Sequence, residues 1–143
     1  MAKFTHLDND GNAVMVDVSS KEATERTATA KGSVMMRPDT MALILEGGVK
    51  KGDVLSIAQL AGIMGAKRTP DLIPLCHPLK LASVTVDLNC DTDRNAVDIT
   101  ATCKLTGKTG VEMEALTAVA VAALTVYDMV KAVDRGLVIT DLR

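Results

Sequence analysis

Two stretches of this chain hold residue types that could do chemistry. The first is Lys67-Arg68-Thr69-Pro70-Asp71-Leu72-Ile73-Pro74-Leu75-Cys76-His77-Pro78-Leu79, which gathers two cations, a carboxylate, a thiol and an imidazole. The second runs from Glu112 to Lys131. At about 100° per residue, Glu114, Thr117, Thr125, Asp128 and Lys131 would lie within roughly 120° on one helix, with Asp128 and Lys131 as neighbours. In apolar surroundings such a pair has shifted proton affinities, which suits acid–base work; a structural ion pair is the plainer alternative. Glu112 already has a structural explanation, because Thr109-Gly110-Val111-Glu112 matches a capping box. Glu114 has none and is the better candidate for holding a polar ligand.

Cys76-His77 reads as a nucleophile with its base or as two metal ligands. Adjacent residues rarely converge on one metal, and no further His or Cys cluster completes a site, so no metal is expected. His77 is more credible as an acid–base or hydrogen-bonding group, and Cys76 as a small buried filler. Thr106-Gly107-Lys108-Thr109 is not a phosphate loop, because Thr102 stands where that pattern needs a glycine. The amides of 107–110 at a helix start suit an anion, although Glu112 and Glu114 oppose a strongly charged one. Lys50, Lys51, Lys67 and Arg68 cluster by sequence, with Arg26 and Lys108 further off. Converging cations without an Asp-rich motif point to an anionic small molecule such as a phosphate ester; each cation taken singly is also of a kind commonly left in solvent.

The elements that would position these residues follow from pattern. Prolines 70, 74 and 78 fix φ and remove donors, which predicts a stiff extended loop, neither helix nor central strand. Residues 29–36 read as a first strand, 37–46 as a short helix with Pro38 in its first turn, and 54–66 as a helix capped by Asp53. Residues 81–91 and 96–105 alternate and flank a turn, which predicts an antiparallel pair. A long helix is expected over 111–134, ended at Arg135-Gly136, then a closing strand over 137–142. Residues 1–28 are polar and weakly periodic, with a turn at 8–12 and a strand-like run at 15–18; this segment is expected to be loosely held. The order defines an α+β chain, a ferredoxin-like antiparallel sheet with helices packed on one face. All 143 residues fit a single domain.

Composition removes several classes. The formal net charge is −2, so nucleic acid and anionic membrane surfaces are poor partners. Phe4 and Tyr127 are the only aromatics, too few to stack single-stranded bases. Three cysteines without a CxxC support neither a disulfide framework nor a zinc knuckle, and no signal-like region opens the chain. No membrane association and a reducing cytoplasm are expected. The 111–134 helix would carry apolar atoms nearly all the way round, and a helix apolar on every side is buried on every side. One sheet and one helix layer would leave a face wet, so a second subunit is expected to cover it.

Several of these stretches together carry a resemblance. Residues 67–69 with Leu-Ile-Pro-Leu-Cys-His-Pro-Leu at 72–79 are similar to a signature of the molybdenum-cofactor biosynthesis protein C family. Leu105–Ala118 resembles the family's second signature and Ala122–Ala132 its third, and Met15–Val18 and Lys51–Val54 also fit. The resemblance implies rearrangement of a cyclised dihydro-GTP to cyclic pyranopterin monophosphate with loss of pyrophosphate, without metal or redox cofactor. It implies a homo-hexamer, a trimer of dimers, with sites at subunit boundaries. Carried over by position, Asp128 would be the acid–base residue, assisted by Lys51 and Lys131. Leu75, Cys76, His77, Met113 and Glu114 would bind substrate with Glu112 alongside, and Arg26, Lys67 and Lys108 would contact the triphosphate. A ligand-binding regulatory module of the same fold, without catalysis, is the rival reading.

Overall fold

The computed structural model describes residues 2–47 and 53–143. Alternation of small and apolar residues makes β1 (Thr24–Met35) a strand whose even-numbered side chains turn inward, ending in buried Ala30, Gly32 and Val34. α1 (Pro38–Leu45) follows with proline in its first turn. Lys51, expected to assist catalysis, lies outside the described residues. α2 (Val54–Lys67) starts where expected: the Asp53 carboxylate accepts from the Leu55 and Ser56 amides. α3 (Thr69–Leu72) is a single helical turn inside the proline-rich run. β2 (Ser83–Asp91) and β3 (Ala96–Gly107) form the expected hairpin. Asp91 accepts from the Asp93 and Arg94 amides in the turn, and Asn95 takes φ 51°, a conformation its short polar side chain tolerates. α4 (Glu112–Val130) and β4 (Val138–Thr140) complete the chain.

The sheet order is β2-β3-β1-β4 and every pairing is antiparallel. β1 and β2 are therefore parallel with β3 between them, the split β-α-β arrangement the element order anticipated. One face packs on α2 and α4 through Val34, Val86, Ile99, Ala101, Cys103 and Leu105; the other displays Thr27, Thr29, Lys31, Thr85 and Lys104. Small residues set how closely the layers approach. A Cβ on Gly65 would lie 2.8 Å from Val121 Cγ2, and one on Gly32 would lie 2.8 Å from Val119 Cγ1. α2 and α4 thus meet nearly backbone to backbone, and α4 rests directly on β1.

Four boundaries differ from expectation. β1 begins at Thr24, so 24–28 belong to the sheet and only the residues before them are loosely attached. The 15–18 run pairs with no strand. Pro70 sits in the first turn of α3, where its missing N–H would have no intrahelical partner in any case; the run is not extended throughout. α4 stops at Val130, where the chain turns and buries Asp134. That carboxylate accepts from Thr40 Oγ1 at 2.9 Å, from the Arg37 amide at 3.2 Å and from the Gly136 amide at 2.9 Å. β4 is short, yet beyond Asp141 (φ 57°) Arg143 resumes reciprocal backbone bonds with Lys31.

α4 is long and apolar enough to cross a membrane by length and composition, but the fold uses it as a core helix, with Ala115, Ala118, Ala122, Val126 and Val130 fully buried. Within one chain it is not covered on every side: Leu124 is 59% exposed, and Ile57, Leu60 and Met64 of α2 are exposed as well.

Candidate functional site

A cleft of about 590 Å³ opens where the N-terminus of α4, the end of the proline-rich run and the start of β1 meet. That size suits a nucleotide-like molecule. Ile73 to His77 and Leu79 form one wall. Lys108, Thr109, Gly110, Glu112, Met113 and Glu114 form the second. Arg26 and an N-terminal strap that includes His6, Val16, Val18 and Lys21 form the third.

The wall from α4 is acidic. Glu114 is only 2% exposed, and its Oε2 accepts from the Cys76 thiol at 3.5 Å. Burial pushes the Glu114 carboxyl above its ordinary value, with the nearby Glu112 charge adding to the effect and hydrogen bonds opposing it. The Cys76 thiol is pushed up to about 11, first by burial and then by the charges of Glu114 and Glu112. At neutral pH Cys76 is thus a thiol that donates, not a nucleophile. It lines the cleft rather than filling the core. The capping box is not formed: Val111 is the N-cap, it makes no side-chain cap bond, and the Glu112 carboxylate folds over Gly110. The structural explanation for Glu112 therefore falls away, and its carboxylate is left for the cleft.

Cations line the same cleft. Arg26 Nη2 donates to the Lys108 carbonyl at 3.5 Å, while Arg26 Nε is buried without a partner. A buried N–H left unpaired is costly, and an acceptor entering the cleft would satisfy it. Lys108 Nζ donates to the Ser19 carbonyl at 3.3 Å. His77 Nε2 lies 2.5 Å from the Val16 carbonyl. A carbonyl only accepts, so Nε2 carries the proton and Nδ1 is the ring's acceptor in the neutral form. Among the described residues no group of three or more His, Cys, Asp or Glu side chains is arranged to hold a metal ion.

The structure gathers eight of the proposed site residues here: Arg26, Leu75, Cys76, His77, Lys108, Glu112, Met113 and Glu114. It leaves three elsewhere. Lys67 ends α2 as an exposed side chain outside the cleft. Asp128 and Lys131 form the expected ion pair, Oδ1 to Nζ at 2.8 Å, but at the opposite end of α4. Fourteen residues separate Glu114 from Asp128, about 21 Å at about 1.5 Å per residue. The Asp128 and Lys131 side chains are 55% and 44% exposed, so the apolar surroundings expected for them are absent within one chain. Thr125 spends its hydroxyl on the Val121 carbonyl at 2.8 Å. Sequence reasoning missed the strap residues Thr5, His6 and Lys21; the only signal was the similarity of 15–18 to the family pattern.

The protein is α+β, and its cleft carries carboxylates and cations together, a lining suited to a small molecule with both N–H donors and negative charge. The profile of the MoaC family matches residues 15–143, and the chain belongs to that family. A cyclic pyranopterin monophosphate synthase of Rhodospirillum rubrum is 70% identical over 98% of this chain and 84% of its own length. Proteins of the same name from Parvibaculum lavamentivorans and Streptomyces coelicolor are each 62% identical over 99% of this chain and over 88% and 82% of their own lengths.

Proposed function

We propose that this chain is an enzyme, a cyclic pyranopterin monophosphate synthase acting in molybdenum cofactor biosynthesis. Its substrate is the cyclised dihydro-GTP, and pyrophosphate leaves as the cyclic phosphate forms, which makes it a phosphorus–oxygen lyase. The single observation that carries this reading is one cleft lined both by the carboxylates Glu114 and Glu112 and by the cations Arg26 and Lys108, with Arg26 Nε buried and unpaired. The purine-derived ring has N–H groups that a buried carboxylate accepts, while Leu75, Cys76, His77 and Met113 hold its faces and edge. The triphosphate meets Arg26, whose buried Nε lacks an acceptor, and Lys108, with Lys67 further out. Positive charge there stabilises departing pyrophosphate.

Ring opening and pterin closure require proton transfers, which Asp128 supplies with Lys131 and Lys51. In one chain that pair is about 21 Å from Glu114 along α4. The reading therefore places the Asp128–Lys131 end of a second copy at each cleft, in a hexamer built as a trimer of dimers. The exposed Leu124, Ile57, Leu60 and Met64 supply apolar surface for assembly. The three free cysteines suit a reducing cytoplasm. The separation of Asp128 from the cleft also favours one rival: a binding module without catalysis.

The test is Asp128→Asn in an oligomer of unchanged size, incubated with the cyclised dihydro-GTP. Loss of pyrophosphate release with retained substrate binding supports the enzyme reading. Full turnover removes Asp128 from the chemistry, and binding without turnover by the unaltered chain favours the module.

A further inference from the structure

The segment before β1 is attached to the body in an unusual way. Its backbone hydrogen bonds are internal: Asp8 to Asn12, Gly11 to Asp8, Val14 to His6 and Lys21 to Val18. Among the described residues, none joins the strap's backbone to the backbone of the rest of the chain. Among the described residues, its two hydrogen bonds to the body run through side chains of the cleft itself, His77 to the Val16 carbonyl and Lys108 to the Ser19 carbonyl. Little apolar burial holds it, since Phe4 is 85% exposed and Leu7, Val14 and Met15 are exposed too. Few buried contacts and few bonds to the body mark the low-stability end of a structure, where lids are found.

The strap nonetheless forms a wall of the cleft. Val16 and Val18 line it, and Lys21 brings a third cation to the cavity that Arg26 and Lys108 already border. Glu112 and Glu114 line the same cavity and Asp17 of the strap attracts Lys108, so the three cations are partly balanced within the chain. A polyanion between Lys21, Arg26 and Lys108 would add attraction that ties the strap to the body. Arg26 Nε, buried and unpaired, marks where such an anion would gain a bond. We propose that residues 3–21 are a lid, hinged at the two residues before Thr24, that a polyphosphate closes by bridging Lys21 on the strap to Arg26 and Lys108 on the body. This rests on the reading of the cleft as a triphosphate site.

Inorganic tripolyphosphate is the probe, with chloride at matched ionic strength as the control. Hydrogen–deuterium exchange is followed by mass spectrometry on full-length protein, and tripolyphosphate binding is measured by calorimetry on the same samples. The lid predicts saturable slowing of exchange by threefold or more over residues 14–23, with the β1–β3 ladder unchanged. Lys21→Met should abolish that slowing while leaving the circular dichroism spectrum as it was. Binding without slowing, or equal slowing in Lys21→Met, overturns the lid but spares the anion site. Failure of tripolyphosphate to bind overturns both.

Discussion

The Cys76 thiol donates to the Glu114 carboxylate across the join between the proline-rich run and α4, with Sγ and Oε2 3.5 Å apart. The carboxylate makes the thiol harder to ionise, whereas the thiol's hydrogen bond favours the ionised carboxylate. Burial acts first on both, and the carboxylate charge then holds the thiol near a pKa of about 11. The contact welds two segments remote in sequence into one corner of the cleft, and it explains why a cysteine beside a histidine is not a nucleophile here.

Cys76 should therefore react slowly with maleimide at pH 8, at least about tenfold more slowly than an unperturbed cysteine, because so little thiolate is present. Glu114→Gln should speed the reaction several-fold by removing the adjacent charge. Peptide mass spectrometry over time gives both rates. A Cys76 that labels as fast as a free thiol would contradict the assignment.

Glu114 also makes stability depend on pH with a definite sign. Its carboxyl is raised above the ordinary 4.5, so between that value and the folded one the native state binds more protons than the unfolded state. Stability then falls as pH rises through this window. Glu114→Gln removes the penalty and keeps an acceptor for the thiol. The variant should melt higher than the parent at pH 8, and the gap should close near pH 4. An equal gap at both pH values would show that ionisation of Glu114 is not its source.

Much of the framework was legible in the sequence because local signals matched the tertiary outcome. Asp53 caps α2, the alternation on either side of Asp91–Asn95 becomes a hairpin, and Asp128 and Lys131 pair as their spacing requires. The failures are places where long-range contact overrode local chemistry. Thr109 and Glu112 have the letters of a capping box, but Glu112 turns back over Gly110 instead. Pro70 fits a helical turn because Thr69 anchors that turn by bonding the Gly65 and Ala66 carbonyls. α4 ends early because Asp134 is drawn to the first turn of α1. The distance between Glu114 and Asp128 was implicit in one long helix, yet a list of shared site residues conceals it.

Asp134 should be the most sensitive single position in that junction. It takes over the cap of α1, whose own N-cap residue, Arg37, makes no side-chain cap bond. Burial works against its charge, but bonds from the Arg37 amide, Thr40 and the Gly136 amide prevail and lower its pKa below the ordinary 3.8. Asp134→Ala should cost about 2 kcal/mol in urea unfolding at pH 7, the scale of losing charge-assisted hydrogen bonds. A depressed carboxyl stabilises above its unfolded value, and that contribution is lost as pH falls through the folded one. The difference between parent and variant should thus shrink below pH 4. A difference independent of pH would assign the loss to packing alone.

The separation of the cleft from the Asp128–Lys131 pair makes a quantitative test of a shared site. His77→Ala damages the cleft and leaves the far end of α4 intact; Asp128→Asn does the reverse. Each alone should lower turnover by about 100-fold or more, as expected for loss of a positioned acid–base group. If one copy supplies the cleft and another the pair, oligomers co-assembled at random from equal amounts contain some undamaged sites. Half the clefts and half the helix ends are intact, so about one quarter of the sites regain both parts in a heterologous or two-fold arrangement. Activity near that fraction, appearing only after co-expression or joint refolding, is the expected result. If both parts came from the same copy, no mixture would exceed the sum of the two variants, and the pair would have to reach the cleft by a rearrangement within a single chain.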